Sequence, residues 1–292
     1  GGSNMLPSLR GMRMLIVDSQ VHIWKAETKE RPWTPGLKAQ LPEPLSIELL
    51  REEMQGAGVH RVIIVPPHWE GLRNDYAMEA VARYPDQFRF MGRLNLERPD
   101  APEQLANWMQ MPGNLGMRQS FLTQQERAKL VAGEYDWLFA GCERYGIPLM
   151  VHAADLRPTL ERVLSLYPGL RLILDHMGLS GTIVKEGRLE EAARNTAALA
   201  RYPNVATKLS SAPLHSHEAY PFTNMHGYIS QILEAFGPQR CFWGSDLSHM
   251  LHACSYSEGV ELFTKALNLP EAVLEEIMGR AICTYLGWDM PD

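Results

Sequence analysis

A carboxylate, an amide and an imidazole occupy alternate positions near the start of the chain. Asp18, Gln20 and His22 follow the apolar run at 14–17. Residues two apart on a strand point to the same side, so we expect these three side chains to share one face at a strand end. Carboxylates and imidazoles bind divalent ions and also act as acids and bases. The segment therefore indicates one corner of a metal site or a substrate site.

Further polar residues close other apolar runs along the chain. His152 ends the run at 149–152, Asp175 and His176 end the run at 170–175, and Asp246 follows the run at 241–243. Convergence of titratable side chains is typical of a catalytic site. The polar residues at such ends are Gln20, His22, His68, Arg93, Asn95, Arg118, Gln119, His152, Asp175, His176, Lys208, Ser210 and Asp246.

Apolar runs alternate with longer amphipathic segments, which is typical of βα units and a parallel sheet. The predicted strands are 15–18, 61–65, 88–94, 115–119, 149–152, 170–175, 205–209 and 241–243. The predicted helices are 46–55, 75–84, 102–109, 135–145, 158–167, 189–202 and 227–236, with a C-terminal helical extension at 257–267 and 271–285. Eight units in 292 residues favour a single α/β fold, a (β/α)8 TIM barrel. Active sites of such barrels lie at the C-terminal ends of the strands, where the polar residues fall.

The composition limits the classes of partner. Hydrophobic residues make up 45% and charged residues 21%, as in ordinary globular proteins. The net charge of -6 argues against nucleic-acid binding, and no apolar run reaches the roughly 18 residues of a membrane helix. The four cysteines match no zinc-binding spacing. We expect a cytoplasmic enzyme with a small-molecule substrate, and the sequence leaves a homo-oligomer open.

Two segments stand apart from the repeating units. The start, Gly1-Gly2-Ser3-Asn4-Met5, resembles a tag remnant, so we expect a remnant and tail at 1–13 and the barrel at 14–292. The segment 25–44 is rich in proline and follows the first strand. A long loop at that end of a barrel is either a lid or pocket wall, or a solvated loop without a role.

The strand-end motifs resemble the amidohydrolase superfamily, in the branch of lactonases and decarboxylases that includes 2-pyrone-4,6-dicarboxylate lactonase. That family carries D-x-H-x-H on the first strand, a histidine after the fifth, H-x-G after the sixth and G-S-D after the eighth. The matching segments here are Asp18-Ser19-Gln20-Val21-His22, His152, His176-Met177-Gly178 and Gly244-Ser245-Asp246. Gly116-Met117-Arg118 and Lys208-Leu209-Ser210 resemble two further motifs of the branch.

The resemblance implies a role for each matching residue. In metal-using members, His22, His152 and Asp246 would be metal ligands. Asp246 would also activate the attacking water, and His176 would face the substrate as an acid/base or carbonyl-polarising group. One divalent ion, zinc or manganese, is therefore implied.

Gln20 departs from the family pattern, since a histidine is usual there. An amide oxygen is a weak zinc ligand compared with imidazole, whereas the amide NH₂ donates hydrogen bonds. Some lactonases of this branch work without metal. The sequence therefore leaves both a weakly bound metal and metal-free catalysis open.

Other side chains are candidates for substrate binding, with Gln20 among them. Arg118 is suited to clamp a carboxylate, because guanidinium binds carboxylates through two parallel hydrogen bonds; the alternative is an internal ion pair. Lys208 would orient an anionic group. Trp24 and His68 would contact a ring, although packing beneath a loop is the more common role for tryptophan.

The sequence as a whole predicts a hydrolase. The favoured reaction is opening of a carboxylated or hydroxylated cyclic ester by activated water, with Asp246, His176 and His22 as the catalytic residues. Non-oxidative decarboxylation of an aromatic or muconate-type acid is the alternative enzyme reaction. A barrel that binds a ligand without turnover, with Gln20 marking lost catalysis, is the alternative outside enzymes.

Overall fold

The computed structural model describes residues 14–292 and forms one eight-stranded parallel barrel in which consecutive strands pair. The predicted remnant and tail at 1–13 lie outside the described residues. The strands are β1 (Val17–Val21), β2 (Arg61–Ile64), β3 (Phe88–Gly92), β4 (Asn114–Ser120), β5 (Leu149–His152), β6 (Leu172–Leu174), β7 (Val205–Leu209) and β8 (Cys241–Trp243). Ser19 Oγ donates to the carbonyl of Trp243 at 2.7 Å, which joins β1 to β8. The predicted fold class is confirmed.

Helices follow the strands and surround the barrel. They are α1 (Ile47–Ala57), α2 (Asp75–Arg83), α3 (Ala101–Gln104), α4 (Gln124–Val131), α5 (Asp136–Arg144), α6 (Arg157–Leu166), α7 (Gly181–Lys185), α8 (Leu189–Leu199), α9 (Ala212–His215), α10 (His226–Phe236), α11 (Leu247–Met250), α12 (Tyr256–Glu261), α13 (Glu271–Glu275) and α14 (Ala281–Leu286). Short 3₁₀ turns occur at His68–Glu70, Leu105–Gln110, Asp175–Gly178, Thr223–Met225 and Pro238–Arg240, and π-helical turns at Leu262–Ala266 and Glu276–Arg280. Along residues 14–292, no helix is both long and apolar enough to cross a bilayer.

The C-terminal extension covers the end of the barrel opposite the predicted site. Arg61, the first residue of β2, donates to the carbonyl of Asp289 at 2.8 Å. Arg171, just before β6, donates to the carbonyl of Tyr285 at 2.6 Å. Ile282 of α14 packs with strand residues in a second hydrophobic cluster. The N-terminal ends of the strands are therefore closed, and the C-terminal ends remain for a site.

The first strand differs from its prediction. It begins two residues later and ends three residues later than 15–18, and its pairing with β2 is irregular between Asp18 and Val21. The Asp18 carboxylate accepts hydrogen bonds from the backbone N–H of Ser245 at 2.8 Å and from the Tyr256 hydroxyl of α12 at 2.7 Å. Such an irregularity interrupts the alternation of side chains. The expectation that Asp18 shares a face with Gln20 is therefore wrong, because Asp18 turns toward the helix layer.

The proline-rich segment 25–44 packs against the loops that follow β2 and β8. The N–H of Thr34 donates to the carbonyl of Trp69 at 2.8 Å. On the other side, Ser248 Oγ donates to Gln40 Oε1 at 2.6 Å, and His252 Nε2 lies 2.6 Å from the Gln40 carbonyl oxygen. The segment is thus held as a wall beside the C-terminal ends of β1, β2 and β8.

Candidate active site

A buried network of charged and amide side chains joins β1, β4, β6 and β7. Lys208 Nζ donates to Gln20 Oε1 and lies 2.8 Å from Asp175 Oδ1, with the sulfur of Met150 at 3.4 Å. Arg118 Nε donates to the other oxygen of Asp175, also at 2.8 Å. Burial raises the pKa of Asp175, but Lys208 and Arg118 lower it further, to below its usual range. Asp175 therefore stays ionised and balances two cations.

This network alters the expected role of Lys208. Its side chain is fully buried, and its ammonium group is occupied by Gln20, Asp175 and the Met150 sulfur. An ammonium has three donors, so Lys208 holds the amide of Gln20 rather than presenting itself to a ligand. Gln20 Nε2 is a buried donor with no hydrogen-bond partner in the part of the chain that the structure describes.

His22 and Asp246 form the second part of the site. His22 Nδ1 lies 2.6 Å from the carbonyl oxygen of Val65, which can only accept, so Nδ1 carries the proton. Burial lowers the pKa of His22 to about 3, against the opposing effect of Asp246. Its Nε2 is then a neutral acceptor, 3.6 Å from Asp246 Oδ1. Asp246 Oδ1 is buried and has no hydrogen-bond donor among residues 14–292, so two acceptors face a common point.

The second oxygen of Asp246 is held by neighbouring side chains. Ser211 Oγ donates to Asp246 Oδ2 at 3.2 Å and lies 2.9 Å from His176 Nδ1. Ser210 Oγ lies 2.7 Å from the same nitrogen, and His249 Nδ1 lies 3.4 Å from Asp246 Oδ2. Burial raises the pKa of Asp246, but the hydrogen bond with His249 and the charges of His176 and His22 bring it below its usual range. Asp246 is therefore a carboxylate at neutral pH.

Three of these residues adopt the left-handed backbone conformation. The φ angles are 55° at His176, 68° at Ser211 and 58° at Asp246. Non-glycine residues seldom adopt such angles, and residues that do are often found at functional sites.

Gly244 allows β8 to approach β1, because a Cβ atom there would lie 2.5 Å from Ser19 Oγ and 3.3 Å from Gln20 Cβ.

The remaining predicted site residues lie around this centre. The rings of His152 and His176 pack edge to face with centroids 5.1 Å apart, and burial lowers the pKa of His152 to about 4. Trp24 is buried against Trp69, with ring centroids 5.0 Å apart, as expected for packing beneath a loop. His68 is exposed and packs edge to face against Trp69, with ring centroids 5.6 Å apart.

Sequence reasoning missed several residues of the site. Ser211 was not singled out, although it directly follows the K-L-S motif. His215, at the end of α9, is half-buried, and burial and His249 lower its pKa to about 4. Arg93 was noted only as a strand-end residue and received no role. His249 also contacts Asp246, with its Nδ1 3.4 Å from Asp246 Oδ2.

The residues present do not fit a tightly bound divalent ion. In the stretch from 14 to 292, no group of three or more His, Cys, Asp or Glu side chains is placed to hold one. His22 and Asp246 face each other, but the expected set of His22, His152 and Asp246 is not brought together as a metal site. The oxygen of Gln20 is occupied by the Lys208 ammonium, whose charge repels a nearby cation.

A cavity of about 480 Å³ lies elsewhere, between α6 and α8. Its lining includes Asp155, Arg157, Glu161 and Asn195, and it meets the site described above only at Asp175. Titratable groups with shifted pKa values and unpartnered polar atoms converge instead at the C-terminal ends of the strands. Such convergence is typical of catalytic centres, so these strand ends are the candidate site.

Comparison with known proteins agrees with the strand-end motifs. The family model described as amidohydrolase matches residues 17–282, which is most of the chain. The chain belongs to the amidohydrolase family. The predicted resemblance is thereby confirmed, and the protein is an enzyme of the amidohydrolase superfamily.

Individual relatives align with most of the chain. L-Fucono-1,5-lactonase of Burkholderia ambifaria is 25% identical over 242 residues, covering 79% of each chain. The crystal structure of a Burkholderia multivorans amidohydrolase with bound Zn has a TM-score of 0.79 at 21% identity, covering 94% of this chain and 99% of that one. A probable 2-pyrone-4,6-dicarboxylic acid hydrolase from Acinetobacter baumannii, with citric acid bound, has a TM-score of 0.74 at 17% identity, covering 94% and 100%.

Proposed function

We propose that this amidohydrolase is a lactonase that opens a cyclic ester by attack of water. The observation that carries the proposal is the pair of acceptors formed by His22 Nε2 and Asp246 Oδ1, 3.6 Å apart, with no donor for the carboxylate oxygen among residues 14–292. A water molecule that donates one hydrogen to each acceptor is oriented for attack. The similarity to L-fucono-1,5-lactonase supports this reaction.

The reaction then proceeds through the residues of the site. The water oxygen attacks the acyl carbon while Asp246 Oδ1 takes a proton from it. Negative charge develops on the former carbonyl oxygen and is stabilised by a donor nearby, and Gln20 Nε2 is an unpartnered donor available for this. The ring C–O bond breaks, Asp246 returns the proton to the departing alkoxide, and a hydroxy acid is the product.

The remaining site residues position Asp246. Ser211 and His249 hold Oδ2, so that Oδ1 faces His22. His176 contacts both Ser210 and Ser211 through Nδ1, which fixes its ring and supports the same carboxylate. Lys208 acts through Gln20, whose amide it orients.

The test is hydrolysis of a panel of sugar and carboxylated lactones, measured by the release of acid. We expect turnover of at least one lactone, with kcat/KM reduced about 10²- to 10⁴-fold in Asp246→Asn. Asparagine tolerates the left-handed backbone of this position. Asp155→Asn is the matched control, because Asp155 also has a positive φ, 62°, but lies outside the site.

Two results would overturn the proposal. The first is release of CO₂ from aromatic or muconate-type acids with no hydrolysis of any lactone, which would favour the decarboxylase reaction. The second is unchanged hydrolysis in Asp246→Asn. Absence of turnover on both panels would favour a barrel that only binds its ligand.

A further inference from the structure

The barrel closes between β1 and β8 without the regular strand pairing that joins its other strands. Within residues 14–292, each strand from β1 to β7 pairs with the next one, and no such ladder joins β8 to β1. Side chains bridge this seam instead, as where Ser19 Oγ donates to the carbonyl of Trp243 at 2.7 Å. The seam lies between His22, directly after β1, and Asp246, which follows β8. The contacts that close it therefore set how these two acceptors face each other.

Asp18 is the buried carboxylate at this seam. Its side chain is fully buried. Oδ1 accepts hydrogen bonds from the backbone N–H groups of Gln20 at 3.1 Å and of Ser245 at 2.8 Å. Oδ2 accepts from the hydroxyl of Ser245 and from that of Tyr256 at 2.7 Å. One side chain thus ties β1 to the end of β8 and to α12.

The fold retains this carboxylate at a cost in stability. Among residues 14–292, Asp18 forms no ion pair, and its partners are hydrogen-bond donors without charge. Burial raises its pKa to about 6, against the hydrogen bonds from Ser245 and Tyr256. Burying a charge without an opposite charge beside it costs free energy. Because both oxygens are occupied by neighbours in the fold, Asp18 can act on the candidate site only through those neighbours.

The backbone that Asp18 holds leads directly into Asp246. The N–H of Asp246 donates to the carbonyl of Gln20 at 2.8 Å, so two consecutive residues, Ser245 and Asp246, are hydrogen-bonded to the segment from Asp18 to Gln20. Asp246 has a left-handed backbone, with a φ of 58°. A residue other than glycine stays in this conformation only where the surrounding structure holds it. Asp18 supplies that support at the residue immediately before.

We propose that Asp18 is a positioning residue for Asp246 and acts through Ser245. By fixing Ser245 to β1, it sets the left-handed turn from which the Asp246 carboxylate faces His22. Tyr256 of α12 continues the same chain of hydrogen bonds, because its hydroxyl holds Asp18 Oδ2. This inference rests on the proposed function, in which Asp246 is the base, and names the residues that set the orientation of that base.

The first experiment compares kcat and KM in two variants of Asp18 that differ in hydrogen-bonding capacity. Asp18→Asn keeps an acceptor oxygen for the N–H groups of Gln20 and Ser245, so kcat is expected to stay within about 3-fold of wild type. Asp18→Ala removes every acceptor, and kcat should fall about 10- to 100-fold, as for hydrogen bonds to a charged group, with KM nearly unchanged. Wild-type kcat in Asp18→Ala would overturn the inference.

Tyr256→Phe tests the same chain of hydrogen bonds in a variant that keeps the core filled. The ring still stacks on Trp243, and only the hydroxyl bound to Asp18 is lost. We expect kcat to fall about 3- to 10-fold in the wild-type background. In the Asp246→Asn background the fall should be less than about 2-fold, because the hydroxyl acts through Asp246. Equal factors in both backgrounds would overturn the inference, since general loosening of the barrel lowers both rates alike.

Asn114→Ala is the matched control for Asp18→Ala. Asn114 is also a buried polar residue that joins two strands, because its Oδ1 accepts from the backbone N–H groups of Gly92 on β3 and Gly116 on β4. The proposed mechanism uses neither of these positions. Asn114→Ala should therefore lower the urea midpoint of unfolding and leave kcat unchanged. An equal fall in kcat in the two alanine variants would mean that lost strand contacts alone explain it, and would also overturn the inference.

A second experiment needs no substrate and separates this inference from the proposed function. Crystal structures of wild type, Asp18→Ala and Tyr256→Phe give the φ of Asp246 and the distance between its Oδ1 and His22 Nε2, which is 3.6 Å here. A changed φ or a longer distance in either variant supports the positioning role, even if Asp246→Asn leaves hydrolysis unchanged. An unaltered turn and distance in the variants would overturn the positioning role and leave the lactonase proposal standing.

Discussion

The side-chain oxygen of Gln20 accepts a hydrogen bond from the ammonium group of Lys208, although 188 residues separate them. Gln20 stands where the family pattern has a histidine, and Lys208 comes from the opposite part of the chain on β7. The contact occupies the side-chain oxygen of Gln20 and places the positive charge of Lys208 beside it. It also directs the amide NH₂ away from Lys208 as a free donor. Gln20 and Lys208 are therefore linked in the structure.

This contact predicts how the protein responds to metals. Wild-type protein is expected to retain its activity after prolonged treatment with a chelator and to contain substoichiometric zinc and manganese after purification without chelators. The reason is the Lys208 charge, which repels a cation close to it. Elemental analysis and activity, measured on the same samples before and after chelation, check both statements.

Paired variants sharpen the metal prediction. Gln20→His alone is expected to remain without zinc, because Lys208 is still present. The double variant Gln20→His with Lys208→Met supplies a third ligand beside His22 and Asp246 and removes the charge, so its zinc content should rise. A stoichiometric ion in wild type that is lost together with activity would contradict this account.

Ser211 is expected to affect the rate more than substrate affinity. Its hydroxyl donates to Asp246 Oδ2 and contacts His176 Nδ1, so its removal leaves a carboxylate oxygen of the proposed base less well held. Ser211→Gly tolerates the φ of 68°, and we expect kcat to fall about 10-fold, as for one hydrogen bond to a charged group. Steady-state kinetics should show a nearly unchanged KM. A rise in KM with constant kcat would contradict the positioning role.

Much of the fold was predictable from sequence, because each βα unit carries its own pattern. The bounds of β5, β7 and β8 agree with the predicted runs, and the strand-end positions of His152, His176 and Asp246 are close to where the pattern put them. These features depend on local hydrophobic periodicity and on the general rule that barrel sites lie at the C-terminal ends of strands.

The side-chain partners were not predictable in the same way. The irregularity in β1 turns Asp18 toward Tyr256. The order of apolar and polar residues does not show where such an irregularity occurs. The contact between Gln20 and Lys208 depends on closure of the whole barrel. Within residues 14–292, Arg93 donates to the carbonyl of Pro66 and to Ser120 Oγ. Its sequence could not indicate these partners, since an arginine at a strand end looks the same whatever lies beside it.

Histidines whose pKa values are lowered in the folded protein predict the pH dependence of stability. The pKa of His152 is lowered to about 4 by burial and by Arg118, compared with 6.5 for a free histidine. The unfolded chain therefore binds more protons between these values, and the free energy of unfolding falls as the pH decreases from 6.5 toward 4. Asp18, whose pKa is raised to about 6 by burial, acts in the opposite direction. His22, with a pKa of about 3, acts in the same direction as His152.

A variant isolates the contribution of one group. His152→Asn should show a shallower pH dependence than wild type between pH 4.5 and 6.5, by at most about 1.4 kcal/mol per pH unit. Urea unfolding at a series of pH values measures the two slopes. Parallel slopes would mean that folding does not lower the pKa of His152.

The close approach of β8 to β1 predicts a stability cost at Gly244. A Cβ atom at this position meets Ser19 Oγ at 2.5 Å and both the Cβ and backbone N of Gln20 at 3.3 Å. Overpacking of this kind costs about 1–3 kcal/mol, so Gly244→Ala should lower the free energy of unfolding by that amount. It should also lower kcat/KM, because the shift displaces Gln20 and the adjacent Asp246. Gly56→Ala on α1 is the control: nothing lies within 4 Å of its added Cβ, and alanine in a helix should stabilise by about 0.5–1 kcal/mol. If the two variants unfold at the same urea concentration, the added methyl group at position 244 does not destabilise the contact between β8 and β1, and this prediction is wrong.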